Sequence, residues 1–196
     1  MIKRTLDLAS ACLGLIALSP VLVLIAVLIR MDSPGPILFR QQRVGKLFKP
    51  FTIYKFRTMR NTSAGDGKLI TVDGDSRITR VGRVLRKYKL DELPQLFNVV
   101  VGDMSVVGPR PEVERYVTMF RADYEEILRV RPGLTDLASL EYRNESEVLA
   151  TFADLEEGYI HHVLPRKLSL AKEYVRRSSV TLDFMLIART LTSLFS

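Results

Sequence analysis

The sequence predicts a mostly helical α+β protein, membrane-associated and monotopic. It should have an N-terminal re-entrant helix–break–helix over residues 1–31. A single domain over 32–196 follows, with a small strand element and amphipathic interfacial helices. Three observations predict this. In the stretch Cys12–Ile29, 18 residues long, only Ser19 has a strongly hydrogen-bonding side chain. Positive charge gathers beside it: residues 1–90 carry 17 basic and 5 acidic side chains, whereas residues 91–196 carry 12 and 17. Beyond residue 77 apolar residues recur mostly at helical spacing, and two short segments before it read as strands.

Crossing a hydrocarbon core takes about 20 apolar residues, so Cys12–Ile29 just qualifies by length. Pro20, in its middle, lacks an N–H and clashes with the carbonyl four residues earlier, which bends or breaks a helix. The Ser19 hydroxyl can fold back onto a freed backbone group, one way such a break is tolerated in lipid. Lys3 and Arg4 precede the run, and Arg30, Arg40, Arg43, Lys46 and Lys49 follow it. Positive flanks mark the cytoplasmic side, so positive charge at both ends suits a hairpin that enters and leaves one leaflet. A signal-anchor helix kinked at Pro20 is the reading that stays open beside it. A cleaved signal peptide is disfavoured, because Arg30-Met31-Asp32 stands where a small-residue cleavage site belongs.

After the turn-rich Asp32–Pro36, the segments Ile37–Arg43 and Phe51–Arg57 read as strands. Residues 61–76 are polar and glycine-containing, hence a loop. A short helix follows, with Val81, Val84 and Leu85 on one face and Arg80, Arg83, Arg86, Lys87 and Lys89 on the others. A second helix should begin near Asp91, with Pro94 in its first turn and Leu93, Leu96, Phe97 and Val100 as its apolar stripe. Gly108–Pro111 forces an extended corner. Residues 112–129 read as one helix with Val113, Tyr116, Val117, Phe120, Tyr124 and Leu128 inward, ended by Arg131-Pro132-Gly133. A charged helical region spans 145–158, Pro165 breaks the chain, and helices near 166–177 and 181–195 close it. The last carries Leu182, Met185, Leu186, Arg189 and Leu194 in an amphipathic pattern that suits a membrane surface.

Composition narrows the chemistry. With 26% charged and 47% hydrophobic residues the chain is neither disordered nor collagen-like. A single cysteine, Cys12, excludes an intramolecular disulfide framework and a cysteine-based zinc site. The two histidines, His161 and His162, leave little for a histidine-rich metal centre. No G-x-x-x-x-G-K-[ST] loop occurs, so a P-loop nucleotide site is absent. The basic N-terminal half calls for an anionic partner. A nucleic-acid-binding protein predicts a soluble chain and fails on residues 12–29, which leaves membrane lipid; a homodimer contact is the other use open to that half.

Asp91 and Glu92 are the candidate reacting pair. Free N–H groups and the dipole at a helix start favour a carboxylate and also a bound phosphate. An ionised aspartate can act as a nucleophile and form an acyl phosphate, and a neighbouring glutamate can hold Mg²⁺. Taken alone, two acids in a first turn only stabilise a helix. The cations Arg57, Arg80, Arg83, Arg86, Lys87, Arg110, Arg131 and Arg143 supply the context, since guanidinium groups bind phosphate bidentately. Singly, each suits a surface or headgroup contact as well. Arg110 stands apart because it is held between Pro109 and Pro111.

The runs Lys55-Phe56-Arg57-Thr58-Met59, Leu90-Asp91-Glu92-Leu93-Pro94-Gln95-Leu96-Phe97-Asn98-Val99, Gly102–Pro111 and Arg131-Pro132-Gly133-Leu134-Thr135 resemble the bacterial sugar transferase family. These are monotopic polyprenyl-phosphate phosphoglycosyl transferases, and the resemblance runs in order along the whole chain. It implies transfer of a sugar-1-phosphate from a UDP-sugar to undecaprenyl phosphate by a cytoplasmic catalytic domain at the bacterial inner membrane. Asp91 would be the nucleophile that releases UMP and Glu92 the Mg²⁺ ligand. Lys55, Arg57, Arg86, Arg110 and Arg143 would contact phosphate and nucleotide, with Pro109 and Pro111 framing Arg110. Ser19-Pro20 matches the family's break in a re-entrant helix. After Arg131-Pro132-Gly133, many members carry a Gly-Trp-Ala-Gln-Val-Asn-Gly-Arg type of run. Here Asp136-Leu137-Ala138-Ser139-Leu140-Glu141-Tyr142-Arg143-Asn144 stands instead, which leaves the sugar and the role of Arg143 open. With no multi-span region ahead of the helix, the expected form is the minimal catalytic one. A catalytically silent membrane adaptor for other glycosyltransferases is the competing reading; only an enzyme needs Asp91, Glu92 and Arg110 together.

Overall fold

Residues Ile2–Asp32 form one helix, α1, with Pro20 inside it. The computed structural model describes residues 2–60 and 74–193. The expected helix–break–helix therefore appears as a single uninterrupted element, and the reason is local. Pro20 has no N–H to offer the Ile16 carbonyl, and Ser19 Oγ donates to that carbonyl at 2.8 Å instead. Both ends of α1 rest on the same body. Near the N-terminus Ala11 packs with Phe51, Ile53, Val99 and Met104, and near the C-terminus Ile25 and Ile29 pack with Phe56 and Leu85. Polar ties fasten the first turns. Lys3 Nζ donates to the Val107 carbonyl at 3.0 Å and to Asp183 at 2.5 Å. Asp7 accepts from Ser105 Oγ at 2.7 Å and from the Val106 N–H at 3.0 Å. Between the two docked ends, Leu13, Ile16, Val23 and Leu24 are exposed.

Strands β1 (Leu38–Val44) and β2 (Pro50–Phe56) fall where two strands are expected, and they form an antiparallel hairpin with Arg40 opposite Tyr54. Helix α2 (Arg80–Lys87) is capped by Thr79, whose side-chain oxygen accepts from the Gly82 N–H at 2.9 Å. Its inward residues are Gly82 and Leu85, while Val84, expected inward, is exposed. The docking face is set by Gly82, where a Cβ would lie 2.1 Å from the Thr58 carbonyl oxygen.

The turn Leu90–Glu92 is 3₁₀, and helix α3 (Gln95–Val101) starts at Gln95 rather than near Asp91. Its faces depart from the expected stripe: Gln95, Asn98 and Val99 are buried, whereas Phe97 and Val101 are exposed. Asn98 is inside because it completes the free edge of β2. It accepts the Tyr54 N–H at 3.2 Å and donates to the Thr52 carbonyl at 2.7 Å.

The short strand β3 (Ser105–Val107) is followed by helices α4 (Glu114–Met119) and α5 (Arg121–Ile127), and then by β4 (Gly133–Thr135), which pairs parallel with β3. The single helix expected over 112–129 is thus two helices, because Phe120 leaves the helical region (φ −115°, ψ 39°). Beyond this break Tyr124, Ile127 and Leu128 are buried together with Tyr116 and Val117. Helices α6 (Leu137–Glu141), α7 (Glu145–Leu149) and α8 (Leu155–Gly158) follow. A π turn over Tyr159–Val163 then leads without a gap into α9 (Leu164–Arg177), so Pro165 does not break the chain. It sits in the first turn of α9, where a missing N–H is tolerated, after a wide turn closed by the Leu164 N–H to the Tyr159 carbonyl. The last helix, α10 (Val180–Ser193), packs Leu186 against Val107 and Tyr174 and leaves Met185 exposed. Residues 61–73 of the expected loop, and Leu194, lie outside the described residues.

Candidate active site

Two backbone features bring the candidate residues together. Lys89, just after α2, has a left-handed backbone (φ 54°), so the chain turns sharply and presents Asp91 and Glu92 on the following 3₁₀ turn. On the other side the β3–β4 pair ends in a close crossing of Gly108 and Gly133. A Cβ on Gly133 would lie 2.1 Å from the Gly108 nitrogen, so only glycine fits. The Gly108 N–H donates to the Thr135 carbonyl and the Gly133 N–H to the Pro109 carbonyl, both at 3.0 Å. Pro109-Arg110-Pro111 leaves this crossing at a fixed angle and carries Arg110 over to Glu92.

Glu92 is saturated. Its Oε1 accepts from Lys55 Nζ at 2.8 Å and from an Arg110 terminal nitrogen, and its Oε2 accepts from the other Arg110 terminal nitrogen at 3.1 Å. Burial pushes the Glu92 carboxyl up, but the charges of Arg110 and Lys55 outweigh it and hold the group well below the usual glutamate range. Lys55 is pushed down by burial, against the pull of Glu92.

Asp91 is the opposite case. No hydrogen bond or ion pair within the described residues reaches its carboxylate. Burial, then the charge of Glu92, raises it above the usual aspartate range, against Lys55, Arg86 and Lys89. Two adjacent carboxylates thus differ: Glu92 is paired with two cations, and Asp91 has no partner among the described residues.

Not every expected contact belongs here. Lys55, Arg86 and Arg110 surround the pair, Arg86 through its charge on Asp91 from the last turn of α2. Arg57 does another job. It is 4% exposed, and its guanidinium donates to the Ser33 carbonyl at 2.7 Å, Ser33 Oγ at 2.9 Å and the Pro34 carbonyl at 2.9 Å. It therefore fastens the end of α1, where these acceptors take both terminal nitrogens of the side chain expected to contact phosphate. Arg143 lies on the exposed turn between α6 and α7, two residues before Glu145, whose charge reaches Arg110.

The metal expectation shifts as well. Among the described residues no group of three or more His, Cys, Asp or Glu side chains could hold a metal ion. Mg²⁺ needs none when one or two carboxylates and substrate phosphates hold it. Glu92 fits that role poorly, because Lys55 and Arg110 take both of its oxygens. The unpartnered Asp91 carboxylate fits it. Asp136, which touches Arg110, is absent from the expected site although Asp-x-x-Ser ahead of Leu137–Glu141 is a helix-cap pattern.

A carboxylate without partners thus stands beside a second one locked under two cations, in a body that holds an apolar helix at both ends. The chain belongs to the bacterial sugar transferase family, whose family model matches residues 1–196. It is 37% identical over 200 residues to the UDP-N-acetylgalactosamine-undecaprenyl-phosphate N-acetylgalactosaminephosphotransferase of Aeromonas hydrophila, covering all of this chain and 44% of that one. It is also 37% identical to the UDP-glucose:undecaprenyl-phosphate glucose-1-phosphate transferase of Caulobacter vibrioides, over 99% of this chain and 70% of that one. The Escherichia coli protein of the same description is 35% identical, over 97% of this chain and 39% of its own length. The chain therefore spans less than half the length of the first and third of these relatives.

Proposed function

We propose that this chain transfers a sugar-1-phosphate from a UDP-sugar to undecaprenyl phosphate at the cytoplasmic face of the bacterial inner membrane, an early step of polysaccharide assembly. The contrast between Asp91 and Glu92 carries the reading. Ionised Asp91 attacks the phosphorus that bears the sugar. The bond from that phosphorus to the bridging oxygen breaks, and UMP leaves with the electron pair. An oxygen of undecaprenyl phosphate then attacks the same phosphorus, breaks its bond to Asp91 and restores the carboxylate. The sugar–oxygen bond never breaks, so the anomeric configuration is retained. Arg110, Lys55 and Arg86 bind phosphate oxygens, and Glu92 keeps the first two in place. Mg²⁺, held by Asp91 with the donor phosphates, would supply further neutralisation of the phosphate charge.

The membrane attachment proposed is a monotopic one, with α1 seated in one leaflet and not crossing it. Its support is that Lys3, Asp7 and Ala11 at one end of α1, and Ile25 and Ile29 at the other, dock on one body, with the exposed apolar middle left for one leaflet.

The test is UMP release by detergent-solubilised protein with Mg²⁺, undecaprenyl phosphate and a panel of UDP-sugars, beside Asp91→Asn. Release from one sugar, abolished by the substitution, is the expected result. Release that survives Asp91→Asn overturns the covalent route, and silence across the panel from folded protein favours the adaptor.

A further inference from the structure

Within Pro109-Arg110-Pro111 only Arg110 has a backbone N–H to place, and it donates at 3.0 Å to Asp136 Oδ2. Asp136 is 2% exposed. Its other oxygen, Oδ1, accepts from the Ser139 N–H at 2.7 Å and from Ser139 Oγ at 2.6 Å, so the same carboxylate caps α6. Capping α6 needs one oxygen, and serine or asparagine would do it as well. Neither keeps a second carboxylate oxygen for Arg110.

We propose that Asp136 is a positioning residue for Arg110: it pins the backbone between the two prolines so that the guanidinium stays on Glu92 and Asp91 remains the carboxylate without a partner. Without the tie, the Arg110 side chain, 39% exposed against 15% for Glu92, is free to trade Glu92 for water. The kinetic consequence rests on the phosphosugar transfer proposed above; the geometric one does not.

Asp136→Asn and Asp136→Ser both keep a cap for α6 and remove the tie. In the full chain in detergent, three quantities are compared with wild type: kcat and KM for UMP release, the ¹⁵N side-chain resonance of Arg110 identified with Arg110→Lys, and the melting temperature. The expected result is a loss of about 10- to 100-fold in kcat/KM, mostly in kcat, as for a small misplacement of a catalytic group. The Arg110 resonance should move to the position of solvated arginines, while the melting temperature stays within about 4 °C. Unchanged kinetics with an unmoved resonance overturn the proposal. So does a loss of activity with a collapsed melting temperature and an unmoved resonance, which would make Asp136 a helix cap only. If wild type releases UMP from no donor, the functional reading fails and the Arg110 resonance alone decides the role of Asp136.

Discussion

The two halves of the molecule differ in what shares the interior with their apolar cores and in what they leave outside. From α4 to α9 the interior is apolar and aromatic, with Tyr116, Val117, Ile127, Leu149 and Leu164 inside, and the Arg166–Glu141 and Arg176–Glu126 pairs lie on the surface. From α1 to α3 two apolar clusters, around Ala11 and Ile53 and around Ile29 and Phe56, share the interior with Asp7, Arg57, Gln95 and Asn98, while Leu13, Ile16, Phe97 and Val101 point out. Burial of apolar surface stabilises a fold by about 25 cal/mol per Å² only where the alternative is water. The C-terminal half is organised against water. The N-terminal half exposes the apolar surface that the proposed lipid contact needs, since in lipid outward apolar side chains cost nothing and polar groups must find partners within the chain. Asp91 and Glu92 lie between α2 and α3, in the half that carries the exposed apolar helix.

The difference can be tested by cutting into each half. Leu164→Ala should cost about 3 kcal/mol of unfolding free energy, as large-to-small changes in a water-excluding core do; a loss near zero in denaturant titrations would place the stabilising core elsewhere. Ile16→Lys should weaken vesicle partitioning by about 2.5 kcal/mol, the cost of a charge in hydrocarbon. Unfolding of the detergent-solubilised domain should stay within about 0.5 kcal/mol of wild type. Flotation with vesicles separates the two, and intact partitioning would mean that Ile16 does not reach lipid. Asn98→Ala should cost about 2 kcal/mol, because it strands the Tyr54 N–H and the Thr52 carbonyl at the edge of β2. A neutral result would mean that water enters that edge.

Much of this contrast was legible in the sequence, in unequal measure. The apolar run, the Ser19 back-bond and the strand pair could be read because each depends on neighbours close in the chain. The outward faces of Val84 and Phe97 could not. The partner that draws Asn98 inward is β2, 44 residues earlier, and Gly82 docks on Thr58. The β3–β4 pair escaped because two three-residue strands have no period to detect. Arg57 looked like a phosphate ligand by charge and motif, and only the packing of α1 shows carbonyls consuming it.

Two smaller predictions sharpen the division within the site. The folded Glu92 carboxyl titrates below its ordinary value, so the stability it contributes is fully present above about pH 4.5 and is lost as pH falls through the folded value. Glu92→Gln should flatten this acid limb in melting curves recorded against pH; an unchanged limb would shift the effect to other carboxylates. Asp91 has the opposite sign. Its folded value is raised, so ionisation at neutral pH opposes folding. Asp91→Asn should slightly raise the melting temperature while abolishing UMP release, and a lowered one would give Asp91 a structural role.

By itself the sequence determined that an apolar helix with basic flanks belongs to a mostly helical protein, and its family resemblance marked Asp91, Glu92 and Arg110 as candidates for one site. Composition and local propensity carry the first, and the matching motifs carry the second. Only the tertiary structure decided which carboxylate is paired with cations and which has no partner. That outcome depends on Lys55 coming from β2, Arg110 from beyond β3, and Asp136 holding Arg110 from the end of β4. Such contacts join residues far apart in the chain, and their geometry follows from packing rather than from any local pattern.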